Sequence, residues 1–158
     1  MSHSTPTSTI LVPVDFSAHS EEALLFAADL ATRLDAPLLI LHVIHDPGES
    51  PGYYPQKDPE HPHRIADVAA GMMAEFINRI AREHPKLEKI PHAKTMLITG
   101  LPVTRILEVA EQNNPQMVIM GSQGRTGLAH LLLGSKAEQV VRLCPSPVTI
   151  VKRPMDEE

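Results

Sequence analysis

Tryptophan is absent from the 158-residue chain, and aromatic side chains of any kind make up only 3% of it. A core must therefore be filled by Ala, Leu, Ile, Val and Met, which suits helices packed on a parallel sheet better than a sandwich. So few rings also make a poor flavin site, which counts against a flavodoxin-like electron carrier. Cysteine occurs once, at Cys144, so no intrachain disulfide can form and nothing points to secretion. No apolar run approaches the ~20 residues that span a bilayer. The first ten residues, MSHSTPTSTI, have neither a basic start nor an apolar stretch and do not read as a signal peptide. Positive charge is in deficit: 14 Lys and Arg against 19 Asp and Glu give a formal charge of -5, unlike the basic face of a nucleic-acid binder. These absences predict a cytoplasmic protein with no membrane or nucleic-acid partner.

What is present is a regular alternation of short apolar runs and amphipathic stretches. The run 10–14 (ILVPV) reads as a strand, and Ser20 to Leu34 as a helix with Ala23, Leu24, Ala27, Leu30, Ala31 and Leu34 at helical spacing. Ser17 or Ser20 can cap that helix, and Glu21 and Glu22 suit its first turn. Residues 38–44 (LLILHVI) form a buried strand. Residues 45–63 are rich in Pro, His and charge and make a long exposed excursion, of the kind that is functional or mobile. A second helix carries Ile65, Val68, Ala69, Met72, Met73, Phe76, Ile77 and Ile80 on one stripe, with Met72 and Met73 as core. Strands at 93–99, 116–120 and 147–152 follow, separated by helices bearing Val103, Ile106, Leu107 and Ala110, then Ala137, Val140, Val141 and Cys144. The expected fold is α/β, an open five-stranded parallel sheet with helices on both faces and right-handed crossovers. One domain spans 9–153, between an extended or disordered segment 1–8 and a solvated tail 154–158. Ligands of such folds bind beyond the strand carboxyl ends, where Asp15, Val43 and Gly121 all fall.

Half of the chain's eight glycines stand in one stretch, Gly121 to Ser135, GSQGRTGLAHLLLGS. It is neither a Walker A loop nor the dinucleotide fingerprint, because its first three glycines are spaced GxxGxxG. Glycines there can simply supply backbone angles, and on their own they favour that role and an anion cradle about equally. A helix starting at Gly134-Ser135 adds unused N–H groups and a positive dipole end. The leucines between the glycines, Leu128 and Leu131 to Leu133, read as packing.

The spacing Gly121-x2-Gly124-x9-Gly134-Ser135, together with ILVPVDFS, LILHV, MVIMGSQGRTGL, GSKAEQVVRL and CPSPVTIVK in this order, resembles the universal stress protein family over nearly the whole chain. The resemblance implies the adenine nucleotide alpha hydrolase-like fold, the ATP-binding branch, and a homodimer paired through the last strand, 147–152. It implies that Pro13, Val14 and Asp15 border the nucleoside, with Asp15 at the adenine or ribose, and that Val43 meets adenine. Met120 and Gly121 would lie by the ribose and first phosphate. Gln123, Gly124 and Arg125 would line the phosphate loop, and Gly134 and Ser135 would donate to phosphates. The sequence departs from the family at Gln123, where His or Arg is frequent, and at Lys136, where a small or apolar residue is common. Lys136 either reaches the outer phosphates or points to solvent.

Asp15 can also serve as a helix cap, alone or with Ser17. Nine histidines raise the question of a metal, yet no pair shows ligand spacing, and His42 reads as a core histidine with a backbone partner. Tyr53 and Tyr54 can stack on a base or pack on their own loop. Three functions follow: a dimeric regulator that binds ATP, with or without Mg2+; a slow Mg-dependent ATP hydrolase; or a nucleotide-free interaction module. Phosphoryl transfer needs metal ligands and a group that orients the nucleophile, and the sequence supplies no clear set beyond Asp15, so binding without catalysis is the expectation.

Overall fold

The computed structural model describes residues 8–123 and 133–153. The sequence expectations for 1–7, for 154–158, and for Gly124, Arg125, Leu128, Leu131 and Leu132 lie outside the described residues. Five strands alternate with four helices: β1 (Ile10–Pro13), α1 (Ala18–Leu34), β2 (Leu38–Ile44), α2 (Ile65–Glu83), β3 (Lys94–Thr99), α3 (Pro102–Asn113), β4 (Met117–Gly121), α4 (Ser135–Leu143) and β5 (Val148–Val151). All pairings are parallel, in the order β3-β2-β1-β4-β5. The expected open sheet is thus present.

Strand alternation divides the core into two layers. Ile10, Val12, Leu38, Ile40 and Ile119 meet Ala23, Leu24, Ala27 and Ala31 of α1 and Met73, Phe76 and Ile80 of α2. Leu11, Leu39, Leu41, Val43, Val118 and Met120 point the other way, onto Ile106, Val109 and Ala110 of α3 and Ala137 and Val140 of α4. The central strands are apolar at nearly every position because both their faces are covered, and the exception in β2 is the buried His42. Alanines along α1 let that helix lie close to the sheet, which compensates for the missing aromatics.

Three of the expected stripes need correction. Leu34, the last residue of α1, is 46% exposed, so the buried stripe of that helix ends at Ala31. Val141 is 43% exposed, and Cys144 follows α4 as its half-buried C-cap, so the inward seam of α4 is only Ala137 and Val140. A helix this short covers the sheet with little more than two turns, and Val141 falls outside that arc. On α3 the buried set includes Val109, while Val103 and Leu107 are half-buried. Among the described residues no helix is long and apolar enough to cross a membrane.

The topology places one crevice. β1 lies at the centre, the chain winds outward through β2 and β3, then returns to lay β4 on the other side of β1. Connections leaving β1 and β4 diverge to opposite faces, opening a gap above their carboxyl ends.

Candidate functional site

From β1 the chain turns through Val14, Asp15 and Phe16 into α1. Phe16 is left-handed, with φ 66°, a strained state for a bulky residue. Packing holds it there: its ring lies 4.3 Å from that of His42 and 5.5 Å, edge-on, from that of Phe76. Asp15 Oδ1 accepts from the Ser17 N–H at 3.0 Å and from the Ser17 hydroxyl, while Ser17 Oγ caps α1 by accepting from the Ser20 N–H at 3.2 Å. Asp15 therefore does serve the helix cap, together with Ser17. Its backbone carbonyl accepts a hydrogen bond from the Tyr53 hydroxyl.

The excursion after β2 is anchored beneath this turn. His42 is 2% exposed, and its Nδ1 lies 2.8 Å from the Val14 carbonyl oxygen, the backbone partner its position called for. Its Nε2 is 2.9 Å from the Tyr54 hydroxyl, which is also 3.2 Å from His45 Nδ1 and accepts from the His45 N–H. Burial pushes the His42 imidazole below its usual pKa. His45 is lowered as well, first by burial and then by the Lys136 charge. Tyr54 is 6% exposed and packs with Ile44 and Ala69. Both tyrosines are thus fastened to the fold around their own loop.

Across the crevice, β4 ends at Gly121. A Cβ there would stand 2.7 Å from the His19 carbonyl oxygen, so the close passage of α1 over β4 requires glycine. Ser122 donates its N–H to Val151 and accepts from the Gly134 N–H at 2.6 Å. The two ends of the glycine stretch are therefore tied together. Gly134 is the N-cap of α4, with no side-chain cap bond, and its carbonyl accepts from Glu138. With the Gly134 N–H engaged by Ser122, the donors that α4 itself leaves unused are those of Ser135, Lys136 and Ala137.

These elements enclose a cleft of 680 Å³. Pro13, Val14, Asp15, Val43, Met120, Gly121, Gln123, Gly134, Ser135 and Lys136 all line it, so every described residue of the expected site meets one space. Lys136 is exposed yet borders the cleft, near enough for its charge to act on His45. Leu41, Val14, Val43, Met120 and Ile106 give the cleft an apolar wall; Asp15, Ser20, Gln123 and Ser135 give it polar edges. Sequence reasoning weighed Tyr53 for base stacking but did not bring His45, Glu49, Ser50, Pro51 and Gly52 to the cleft, where they form a wall with it. The available signal was the pairing of the chain's only two tyrosines inside an unusually long loop. Among the described residues no three His, Cys, Asp or Glu side chains group as a metal site would need.

The sequence model of the "Universal stress protein family" matches residues 6–152. Universal stress protein MJ0531 of Methanocaldococcus jannaschii is 30% identical over 94% of this chain and 84% of its own length. The solved structure of MJ0577 from the same archaeon, described as a hypothetical protein, superposes with a TM-score of 0.68 at 27% identity, covering 96% of this chain and all of that one. A universal stress protein solved in complex with cAMP superposes with a TM-score of 0.61 at 26% identity, over 93% of this chain and 98% of its own. With the matched span running from before β1 to the end of β5, the chain belongs to the universal stress protein family.

Proposed function

We propose that this protein binds ATP in the cleft above β1 and β4 and acts as a nucleotide-dependent regulator in the stress response, not as a catalyst. The observation that carries this reading is the convergence of Asp15, Val43, Gly121 and Ser135, from four separate segments, on one cleft at the point where strand order reverses. In this proposal adenine lies against Val14 and Val43, the Asp15 carboxylate meets the ribose, and Met120 and Gly121 border the ribose and first phosphate. The phosphates reach the first turn of α4, where N–H groups and the helix dipole favour negative charge. Gln123, Gly124 and Arg125 hold them from the other side, Lys136 neutralises the outer charge, and Mg2+ accompanies the phosphates. The cAMP complex of a relative supports an adenine nucleotide as the ligand class.

Hydrolysis is the weaker reading. One carboxylate oxygen of Asp15 already takes two hydrogen bonds from Ser17, which orients that group toward capping. The proposal extends to a homodimer paired through the strand at 147–152. The lone Cys144 fits a reducing compartment, and the proposed location is the cytoplasm.

Isothermal calorimetry of the purified chain with MgATP tests the binding. Saturable one-site binding is expected, weakened at least about tenfold by Gly134→Val, whose side chain would keep phosphate from the backbone N–H groups. Absence of binding by the intact protein would leave the nucleotide-free module. Steady turnover above background, lost in Asp15→Asn, would favour the hydrolase.

A further inference from the structure

The contacts around Tyr54 fix where every proton lies. The Val14 carbonyl can only accept, so His42 Nδ1 carries the hydrogen and the neutral ring presents a lone pair at Nε2. Tyr54 must then donate its single proton to His42 Nε2. Its oxygen is left to accept from the His45 N–H and from His45 Nδ1, which must be protonated in turn. The buried chain Val14–His42–Tyr54–His45 therefore has one consistent neutral arrangement.

Added protons strain it in a definite order. One can enter at the remaining nitrogen of His45 without breaking a link. A second, on His42 Nε2, leaves the Tyr54 hydroxyl facing N–H donors on both sides, with no acceptor for its own hydrogen. We propose that this chain is a proton-released latch, which fastens the 46–53 wall of the cleft at neutral pH and frees it in acid, so that occupancy of the cleft falls with pH.

Geometry makes the latch effective. Tyr54 is buried against Ile44 and Ala69, its neighbour Tyr53 bonds the Asp15 carbonyl, and Glu49 to Tyr53 line the cleft just before them. The titratable or charged groups that act on the two histidines are Asp15 from the β1–α1 turn, Glu49 from the loop, Lys136 from α4 and, for His42, His45 itself, whose charge opposes a second proton. From α2, the residues packed around the chain are the apolar Ile65, Val68, Ala69, Met72 and Phe76; from β3, Leu97. Asp15 and Glu49 favour protonation and Lys136 opposes it, but burial outweighs them and both histidines are shifted down. The sign follows from linkage. Above the ordinary histidine value, about 6.5, neither state takes protons and the latch is at full strength. Below it the released loop takes a proton at His42 that the latched loop refuses, and takes one more readily at His45. Closure therefore weakens up to about tenfold per pH unit through His42, with a smaller further loss through His45.

The chain's only tyrosines are Tyr53 and Tyr54 and it has no Trp. Tyrosine emission and the tyrosine band of the near-UV circular dichroism, which lies to longer wavelength than the phenylalanine bands, therefore report on this loop alone. Titrating the ligand-free protein from about pH 8 to about pH 5 should give a tyrosine step below about pH 6.5, steeper than a one-proton curve, with far-UV signal unchanged. A flat tyrosine signal, or one that moves only together with the far-UV signal, overturns the latch. In Tyr54→Phe the amides of 46–56 should exchange rapidly already at neutral pH, and the ATP dissociation constant should lose the extra pH dependence seen in wild type. That comparison also cancels the titration of the phosphates themselves. If Tyr54→Phe does not fold, the wild-type titration decides. The effect on occupancy rests on the nucleotide-binding reading, whereas the latch does not. A tyrosine step without ATP binding at any pH removes only that reading, and equal pH dependence of ATP binding in both proteins removes the latch.

Discussion

Gly121 has no room for a side chain. The missing Cβ would meet His19 carbonyl oxygen and carbon at 2.7 and 2.8 Å, and backbone cannot swing aside as a flexible side chain can. Gly121→Ala is therefore expected to destabilise the fold by about 1–3 kcal/mol through overpacking. Chemical denaturation would show this as a lower midpoint at unchanged slope, and a midpoint equal to wild type would refute it. The same glycine was legible in the sequence as a backbone position at a strand end, but its steric partner was not, because His19 is remote in sequence. Asp15 was legible both as a rim residue and as a cap. Phe16 was not: nothing in DFS signals a left-handed phenylalanine, which exists only because His42 and Phe76 clasp its ring. His42 was read correctly through its backbone partner, while its bond to Tyr54 depends on how a long loop folds back, which local pattern does not encode.

Among the elements, α1 carries the most structure per residue. It starts at a serine whose oxygen takes the Ser20 N–H, ends with Asp35 in a left-handed cap, and buries Ala23, Leu24, Ala27, Ala28 and Ala31 against β1 and β4. Ser17→Ala removes the cap and the hydroxyl's hydrogen bond to Asp15 Oδ1, and keeps the Ser17 N–H bond to the same oxygen. A loss of about 1 kcal/mol is expected from the cap alone. Calorimetric melting should record it as a lowered Tm, and an unchanged Tm would mean that Asp15 or solvent replaces the cap. The central strands and α2 were legible to within a residue or so, since both-face burial writes itself as a continuous apolar run and a long helix repeats its stripe many times. The short α4 was less so. Two inward residues do not define a stripe, and Val141 looked inward only on spacing.

At the scale of the molecule, the sheet has two open edges, and they are chemically unlike. β3 begins with exposed Lys94 and Thr95, and an edge lysine discourages pairing with another chain. β5 is Val-Thr-Ile-Val, half-buried throughout and without charge. Directly before it, α4 ends with Val141 and Leu143 exposed at 43% and 62%. A two-fold axis at the β5 edge would cover both features at once, because an isologous contact buries the same patch on each copy. The proposed homodimer accordingly uses β5 and not β3. Sedimentation at micromolar concentration is expected to give twice the chain mass of 17.3 kDa. Leu143→Lys, at an exposed position outside both core layers, should leave the melting of the monomer fold unchanged while weakening self-association at least about tenfold, since it sets like charges facing across the axis. The matching change at the other edge, Thr95→Lys, should leave the dimer intact. A wild-type monomer at these concentrations would refute the pairing, and a dimer broken by Thr95→Lys but not by Leu143→Lys would move it to β3.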